Sequence, residues 1–191
     1  MIAKSRMPVH ESPWGNSSMK NKIHCLTLLM LIVCITGACS FEPDMDRKKF
    51  KSVAVAAQAV KASLTDGASY EQFGRSLEAL SGEIAALEGK AATMTEEKLL
   101  KAYTTLSEVY QDGHTLWRVK LEFAPFGIVP EGRIYVSQDV EPIVFKYNFP
   151  VETHLYKPTG KHWKSISEDS IRIIWSNADS QLKIIEEIAN N

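Results

Sequence analysis

The chain has 191 residues and nearly balanced charge, with 22 lysine and arginine residues against 23 aspartate and glutamate residues. Its length suits one domain, and its 45% apolar and 24% charged residues are typical of a folded globular protein, which excludes disorder throughout. Bulk nucleic-acid binders usually carry a strong basic excess, so the net charge of −1 argues against that class. Three cysteines exclude a disulfide-dense scaffold.

A segment near the N-terminus has the features of a secretory signal peptide. Residues 19–38 begin with Lys20 and Lys22, continue through an apolar run at 25–35, and end in small residues just before Cys39. A positive start, a short apolar core and a small-residue site direct a chain to secretion. The apolar run is shorter than the roughly 20 residues of a transmembrane helix. We therefore predict a cleaved signal peptide at 19–38.

The end of this segment reads Ile-Thr-Gly-Ala-Cys and closes on Cys39. It resembles the lipobox of bacterial lipoproteins, in which the cysteine thiol is acylated with diacylglycerol and the signal is cleaved before that cysteine. The family prefers Leu, Val or Ile three residues before the cysteine; this chain has Thr36 there, and Ile35 lies one place earlier. The resemblance implies lipidation of Cys39 with palmitate-type chains. Ordinary secretion with cleavage near Ala38 is the alternative.

The residue after Cys39 indicates the membrane in which such a lipoprotein is retained. Lipoproteins of Gram-negative bacteria with Asp at this place tend to stay in the inner membrane, whereas here Ser40 follows. The resemblance therefore implies a cell-envelope protein, held in the inner leaflet of the outer membrane and facing the periplasm. Two or more acyl chains would hold it firmly, because each buried CH₂ contributes about 0.8 kcal/mol.

The remaining boundaries follow from this reading. Residues 1–18 would make an unusual start for a signal peptide because they contain Glu11 and Pro13, so we predict an over-extended start and translation from Met19. Residues 39–46 hold the lipidated cysteine and a short tether. Residues 47–191 are predicted to form a single helical domain.

Cleavage before Cys39 would leave 153 residues with 18 basic and 22 acidic side chains, a net charge of −4. Cys25 and Cys34 would leave with the signal, and lipid would block Cys39. The mature domain would then have no disulfide, no thiolate nucleophile and no thiolate metal site.

Three apolar stripes at helical spacing predict three helices in an antiparallel up-down-up arrangement. The stripe positions are Phe50, Val53, Ala57, Val60 and Leu64; then Tyr70, Phe73, Leu77, Leu80, Ile84 and Leu87; then Leu99, Tyr103, Leu106, Tyr110, Gly113 and Trp117. The first helix ends at Asp66-Gly67, the second stops near Gly89, and the third runs to about Phe123.

Capping signals mark two of these helix starts. Ser69 with Gln72, and Thr93 with Glu96, have the spacing of a capping box, in which side chain and backbone exchange hydrogen bonds.

The middle of the chain is less regular. A short extended piece is predicted at 133–136. Asp139 is a candidate N-cap for a short helix that ends at Asn148, with a strand over 143–147 as the alternative. The face of this helix would carry Val140, Ile143, Val144 and Tyr147.

A long loop is predicted over 150–166, followed by a last helix capped by Ser167. Its stripe is Ile171, Ile174, Trp175, Ala178, Leu182, Ile185 and Ile188. The predicted fold is mostly α, an antiparallel bundle of about four long helices with a short irregular or extended insertion before the last helix.

His114 is the residue most open to a chemical role. It lies on the apolar side of the third helix, four residues after Tyr110, so a packed, hydrogen-bonded histidine is the favoured interpretation. His154 and His162 lie near Glu152, but zinc needs three or four converging ligands. No HExxH, GxSxG or phosphate-loop motif occurs. We predict no catalytic, cofactor-binding or metal site, and a protein that is not an enzyme.

The predicted loop contains the strongest binding signal in the chain, because lysines and amphipathic aromatics are concentrated in it. Tyr and Trp are enriched at binding hot spots, and long loops are often functional. The candidate interaction residues are Tyr156, Lys157, Lys161, His162, Trp163 and Lys164. The competing interpretation is that Trp163 packs into the bundle while the lysines solubilise a turn.

Three functions remain open. The first is a protein-interaction module in the envelope, either an adaptor or an exclusion- or immunity-type blocker, bound to the membrane through its lipid and to a protein partner, without nucleic acid or cofactor. The second is a carrier of a small ligand or lipid in the bundle interior, with a pocket formed by Tyr103, Tyr110, His114 and Trp117. The weakest is an envelope hydrolase.

Overall fold

The computed structural model of the chain describes residues 45–190. The predictions for residues 1–18 and 19–38 and for Cys39 lie outside the described residues. Within residues 45–190, no helix combines the length and apolar character needed to cross a membrane.

The described part is mostly helical with a small antiparallel sheet. Its helices are α1 Lys51–Thr65, α2 Tyr70–Leu87, α3 Met94–Phe123, α4 Glu141–Tyr147 and α5 Asp169–Asn190; its strands are β1 Arg133–Tyr135, β2 Glu152–Tyr156 and β3 Lys161–Ser167. A short 3₁₀ helix, Ala124–Phe126, extends α3.

Of the two predicted capping boxes, the one at α2 is complete and the one at α3 forms only in part. At α2 the predicted box is confirmed: Ser69 Oγ accepts the N–H of Gln72 at 3.3 Å, and Gln72 Oε1 accepts the N–H of Ser69 at 2.9 Å. At α3, Thr93 Oγ1 accepts the N–H of Glu96 at 3.1 Å. The return bond of that second box is absent because the Glu96 carboxylate instead accepts the N–H of Ala92 at 2.7 Å.

The predicted stripes form the core. α1 packs on α2, α2 on α3, and α3 on α5. The largest fully buried side chains of these helices are Phe73, Leu80, Leu99, Leu106, Tyr110, Leu116 and Ile174. Full burial of each large apolar side chain contributes about 1.5–3 kcal/mol, so these interfaces dominate the stability of the helical part.

The sheet has the order β1-β3-β2, with β3 in the centre and antiparallel to both neighbours. Ile134 of β1 lies opposite Ile166 of β3, and both side chains are fully buried. β1 also contacts α3. Because successive side chains of a strand point to opposite faces, this pair fixes the buried face of the sheet.

The prediction of a long loop over 150–166 is wrong, because two paired strands occupy most of it. They are joined by a turn in which Gly160 has φ +66°, a conformation that glycine adopts without strain. β2 has no buried residue and β3 buries only Ser165 and Ile166, so the sequence lacks the apolar alternation that marks a half-buried strand.

The insertion before β2 is a helix, not the alternative strand, and the predicted extended piece at 133–136 is confirmed as β1. Asp139 is not the N-cap of α4: Val140 holds that position, while Asp139 accepts a hydrogen bond from Arg118 Nη2 at 2.7 Å. Asn148 ends α4 in the left-handed conformation with φ +51°, as predicted, and the next residue, Phe149, is buried.

The last helix begins at Asp169, so Glu168 and not the predicted Ser167 immediately precedes its first residue. Ser167 is the final residue of β3, and its Oγ accepts the N–H of Asp169 at 3.2 Å. The strand therefore passes directly into α5, which ties the sheet to the helical part.

Candidate functional site

All six predicted interaction residues lie on one β-hairpin. Tyr156 pairs with Lys161 next to the turn, Lys157 lies in the turn, and His162, Trp163 and Lys164 follow along β3. All of them except Trp163 are exposed. The structure brings these residues together on a paired scaffold, which holds their positions more firmly than a loop would.

Trp163 packs within the sheet. Its ring stacks on His154 of the neighbouring strand at 4.2 Å, and its centroid lies 6.2 Å from Tyr135. Tyr135 in turn lies 4.7 Å from Phe123 at the end of α3. This row of rings joins the hairpin to the helical part, so Trp163 supports the hairpin rather than projecting freely from it.

A polar network lies on the same face of the sheet as Trp163. Arg133 Nε donates to Ser165 Oγ at 3.0 Å, and Arg133 Nη1 contacts Glu152 at 2.8 Å. His154 Nε2 lies 2.8 Å from the same Ser165 Oγ. A serine beside a histidine resembles half of a hydrolytic dyad, but Ser165 is fully buried and already bonded to arginine. Its hydroxyl is positioned to hold three strands together, not to attack a substrate.

Apolar side chains are exposed next to the lysines of the hairpin. Leu155 is 54% exposed, and Phe145 of α4 is 88% exposed. Glu141 lies 4.0 Å from Lys164, and Phe145 follows Glu141 by one helical turn, which places α4 beside β3. We call this region the hairpin surface, formed by Phe145, Leu155, Tyr156, Lys157, Lys161 and Lys164. It includes both faces of the hairpin, because Leu155 and Lys164 lie on one face and Tyr156 and Lys161 on the other.

A second feature is a cleft of about 710 Å³ between the α1–α2 turn, α3 and the start of α5. Trp117 and Trp175 line it, and we call it the tryptophan cleft. The ion pair of Lys120 with Glu168 also lines it and borders a neighbouring cavity of about 450 Å³. Sequence analysis missed this cleft, because only the packing of α5 on α3 brings the two tryptophans together.

The four predicted pocket residues have different surroundings in the structure. Tyr110 is fully buried, with its ring 6.0 Å from that of Phe73. Tyr103 is also buried and lies beside Met45 at another end of the helical part, whereas Trp117 lines the tryptophan cleft.

His114 lies among aromatic rings. It stacks on Tyr70 at 4.1 Å, and its Nε2 is buried with no hydrogen-bond partner among the described residues. Burial lowers the pKa of His114, and the positive charge of Arg118 lowers it further, while a hydrogen bond with the Tyr70 backbone and the charge of Glu78 act in the opposite direction. The folded protein therefore favours neutral His114.

This environment predicts a loss of stability in mild acid. Because the folded-state pKa of His114 is depressed, the unfolded chain binds more protons, and stability falls as the pH drops below the ordinary histidine pKa of about 6.5. Urea unfolding at pH 7.5 and pH 5.5 should show this fall in the native protein and a smaller fall in His114→Phe. An equal fall in both proteins would contradict the prediction; His162→Gln, which alters an exposed histidine, serves as the control.

The part of the chain described by the structure contains no group of three or more histidine, cysteine, aspartate or glutamate side chains placed to hold a metal ion. Comparisons with protein-family models, curated proteins and solved structures found no match to this chain.

Proposed function

We propose that the protein is a bacterial lipoprotein acylated at Cys39 and that its domain is a protein-interaction module of the cell envelope. The signal-like segment at 19–38 and the lipobox-like sequence support the anchor, and Ser40 supports the outer membrane with the domain in the periplasm. The hairpin surface supports the interaction role. An adaptor, or an exclusion- or immunity-type blocker that occupies a partner at the membrane, would use such a surface.

The observation that carries this proposal is the combination of exposed apolar side chains and lysines without ion pairs within residues 45–190, on the hairpin and the adjacent α4. Within residues 45–190, neither Lys157 nor Lys161 makes an ion pair, while Leu155 and Phe145 are largely exposed. Apolar contacts at the centre of an interface contribute affinity, and charges around them steer a partner of opposite sign. The partner's surface would therefore be apolar with acidic groups around it.

The test uses variants that leave the hairpin intact. Trp163 and Lys164 are avoided, since Trp163 stacks on His154 and Lys164 lies near Glu141. The double variant Lys157→Glu/Lys161→Glu should reduce capture of the partner by cross-linking in native envelopes at least tenfold, with an unchanged melting temperature.

The matched control is Lys90→Glu/Lys183→Glu, which makes the same change of charge at exposed lysines of the helical part. It should capture the partner as the native protein does. If the hairpin variant captures the same partner equally well, the hairpin surface has no part in binding.

We also propose that α1, α2, α3 and α5 form an antiparallel bundle. Their lengths of 15, 18, 30 and 22 residues and the successive contacts of α1 with α2, α2 with α3 and α3 with α5 support it. Short connections between successive helices favour antiparallel neighbours.

A small-ligand carrier is the second candidate. The volume of the tryptophan cleft lies within the roughly 300–1,000 Å³ range of ligand pockets, and the indoles of Trp117 and Trp175 offer apolar surface to a ligand. Native mass spectrometry of protein from its own cells should then reveal a bound molecule that is absent from the Trp117→Leu variant.

A hydrolase is the weakest candidate, because the serine beside His154 is buried.

A further inference from the structure

A third cavity, an apolar groove of about 390 Å³, lies where the described chain begins. It is formed by the start of α1, the first turns of α3 and the end of α5. Met45, Ala54, Leu99 and Tyr103 supply apolar lining. This groove is distinct from both the hairpin surface and the tryptophan cleft, whose residues it does not share.

Basic side chains surround the apolar lining. Arg47, Lys48 and Lys51 all border the groove, are exposed, and make no ion pair within the described residues. They occur within five positions of a chain whose mature part carries a net charge of −4. Glu42, Asp44 and Asp46 precede these cations in sequence, and the Oδ1 of Asp46 accepts the N–H of Lys48 at 3.0 Å. Positive charge is thus concentrated in residues 47–51, which border the groove, although the mature chain as a whole is negative.

Lys49, unlike the three rim cations, forms an ion pair with a buried carboxylate of α3. Its Nζ lies 2.6 Å from the Glu96 carboxylate, which also accepts the N–H of Asp46 at 3.2 Å. These bonds fix the first described residues to the start of α3, so the basic rim of the groove is held in place.

The short stretch of chain between Cys39 and Met45 limits how far the groove can lie from the membrane. Cys39 precedes Met45 by six residues, which span at most about 22 Å when fully extended. If Cys39 is acylated, as the proposed function requires, the groove stays close to the bilayer that holds the acyl chains.

We propose that this groove and its rim, formed by Arg47, Lys48 and Lys51, bind the surface of a membrane containing anionic phospholipid. The three cations would contact lipid phosphates, and the apolar lining would accept the adjoining glycerol and upper acyl region. Docking at this end would leave the hairpin surface available to a protein partner. The inference rests on the proposed lipid anchor for its orientation, but the charge and the groove belong to the domain alone.

The test separates this binding from the anchor. The chain from residue 39 to 191 with Cys39→Ser, which contains the whole compact unit Pro43–Asn191 and cannot be acylated, is sedimented with vesicles. It should bind vesicles of mixed phosphatidylcholine and phosphatidylglycerol, bind phosphatidylcholine alone much more weakly, and lose binding in high salt.

Neutralisation of the rim by Arg47→Gln/Lys48→Gln/Lys51→Gln should weaken binding at least tenfold without lowering the melting temperature. The control, Lys157→Gln/Lys161→Gln/Lys164→Gln, removes the same charge from the hairpin and should bind as before. Absence of binding to the anionic vesicles, or an equal loss in both triple variants, would overturn the proposal. A native protein without acyl groups would instead overturn the anchor and leave the vesicle result standing.

Discussion

Replacement of Gly113 by alanine should lower the free energy of unfolding by about 2 kcal/mol, although alanine favours helices. A Cβ at this position of α3 would lie 2.2 Å from two ring carbons of Trp175, far inside van der Waals contact. The rings of Phe73 and Tyr110 lie 5.3 Å and 6.2 Å from the indole, and a shift of the indole into the tryptophan cleft that it lines would give up these ring contacts. Contacts this short correspond to the upper end of the overpacking cost, about 3 kcal/mol, from which the roughly 1 kcal/mol that alanine gains over glycine in a helix is subtracted.

Two further variants separate the clash from the helix propensity. Gly82 lies exposed within α2 with no atom near its Cβ position, so Gly82→Ala should stabilise the protein by about 0.5–1 kcal/mol. Trp175→Leu should reduce the additional cost of Gly113→Ala, because a smaller side chain leaves space for the new methyl group. Urea unfolding is measured for the native protein, the three single variants and the Gly113→Ala/Trp175→Leu double variant. A Gly113→Ala protein as stable as the native one would show that α3 and α5 do not pack as described.

Glu96→Gln is the second substitution with a large expected effect, a loss of about 2–3 kcal/mol. The carboxylate is only 2% exposed and binds Lys49 at 2.6 Å and the N–H groups of Ala92 and Asp46. An amide cannot balance the lysine charge or accept all three bonds. The neighbouring Glu97 is exposed, so Glu97→Gln should change stability by less than about 0.5 kcal/mol.

Because of these contacts, the stabilisation by the Glu96 carboxylate depends on pH. The Ala92 N–H, followed by the Lys49 ammonium and the Asp46 N–H, lowers the pKa of Glu96 to about 2 from an ordinary value of 4.5. Stabilisation by a carboxylate with a depressed pKa is present above the unfolded-state value and is lost as the pH falls towards the folded-state value. The stability difference between native protein and Glu96→Gln should therefore shrink between pH 4.5 and pH 2. A difference that stays constant would contradict the role of the ionised carboxylate.

The helices were predictable because each buries one stripe and most begin or end at a recognisable residue. The stripe from Phe73 to Leu87 and the stop at Asn148 are both present in the structure. The hairpin was not predictable by the same means. β2 faces solvent along most of its length, so burial imposes no alternation of apolar and polar residues on it.

The candidate sites were likewise predictable only where their residues are close together in the sequence. The interaction residues from Tyr156 to Lys164 were predicted because lysines and aromatics are close in sequence. The bonds among Arg133, His154 and Ser165 depend on the pairing of strands, which the sequence does not reveal. Tyr103 and Trp117 lie on one side of α3, but 14 residues of helix extend about 21 Å, so they contact different neighbours.

The intact mass of the protein extracted from native membranes tests the central claim most directly. The account predicts a chain that begins at Cys39 and carries the added mass of acyl groups. That result would establish the anchor and the mature boundary on which the membrane-bound interaction role depends. A chain without acyl groups, recovered from the soluble fraction, would contradict the account.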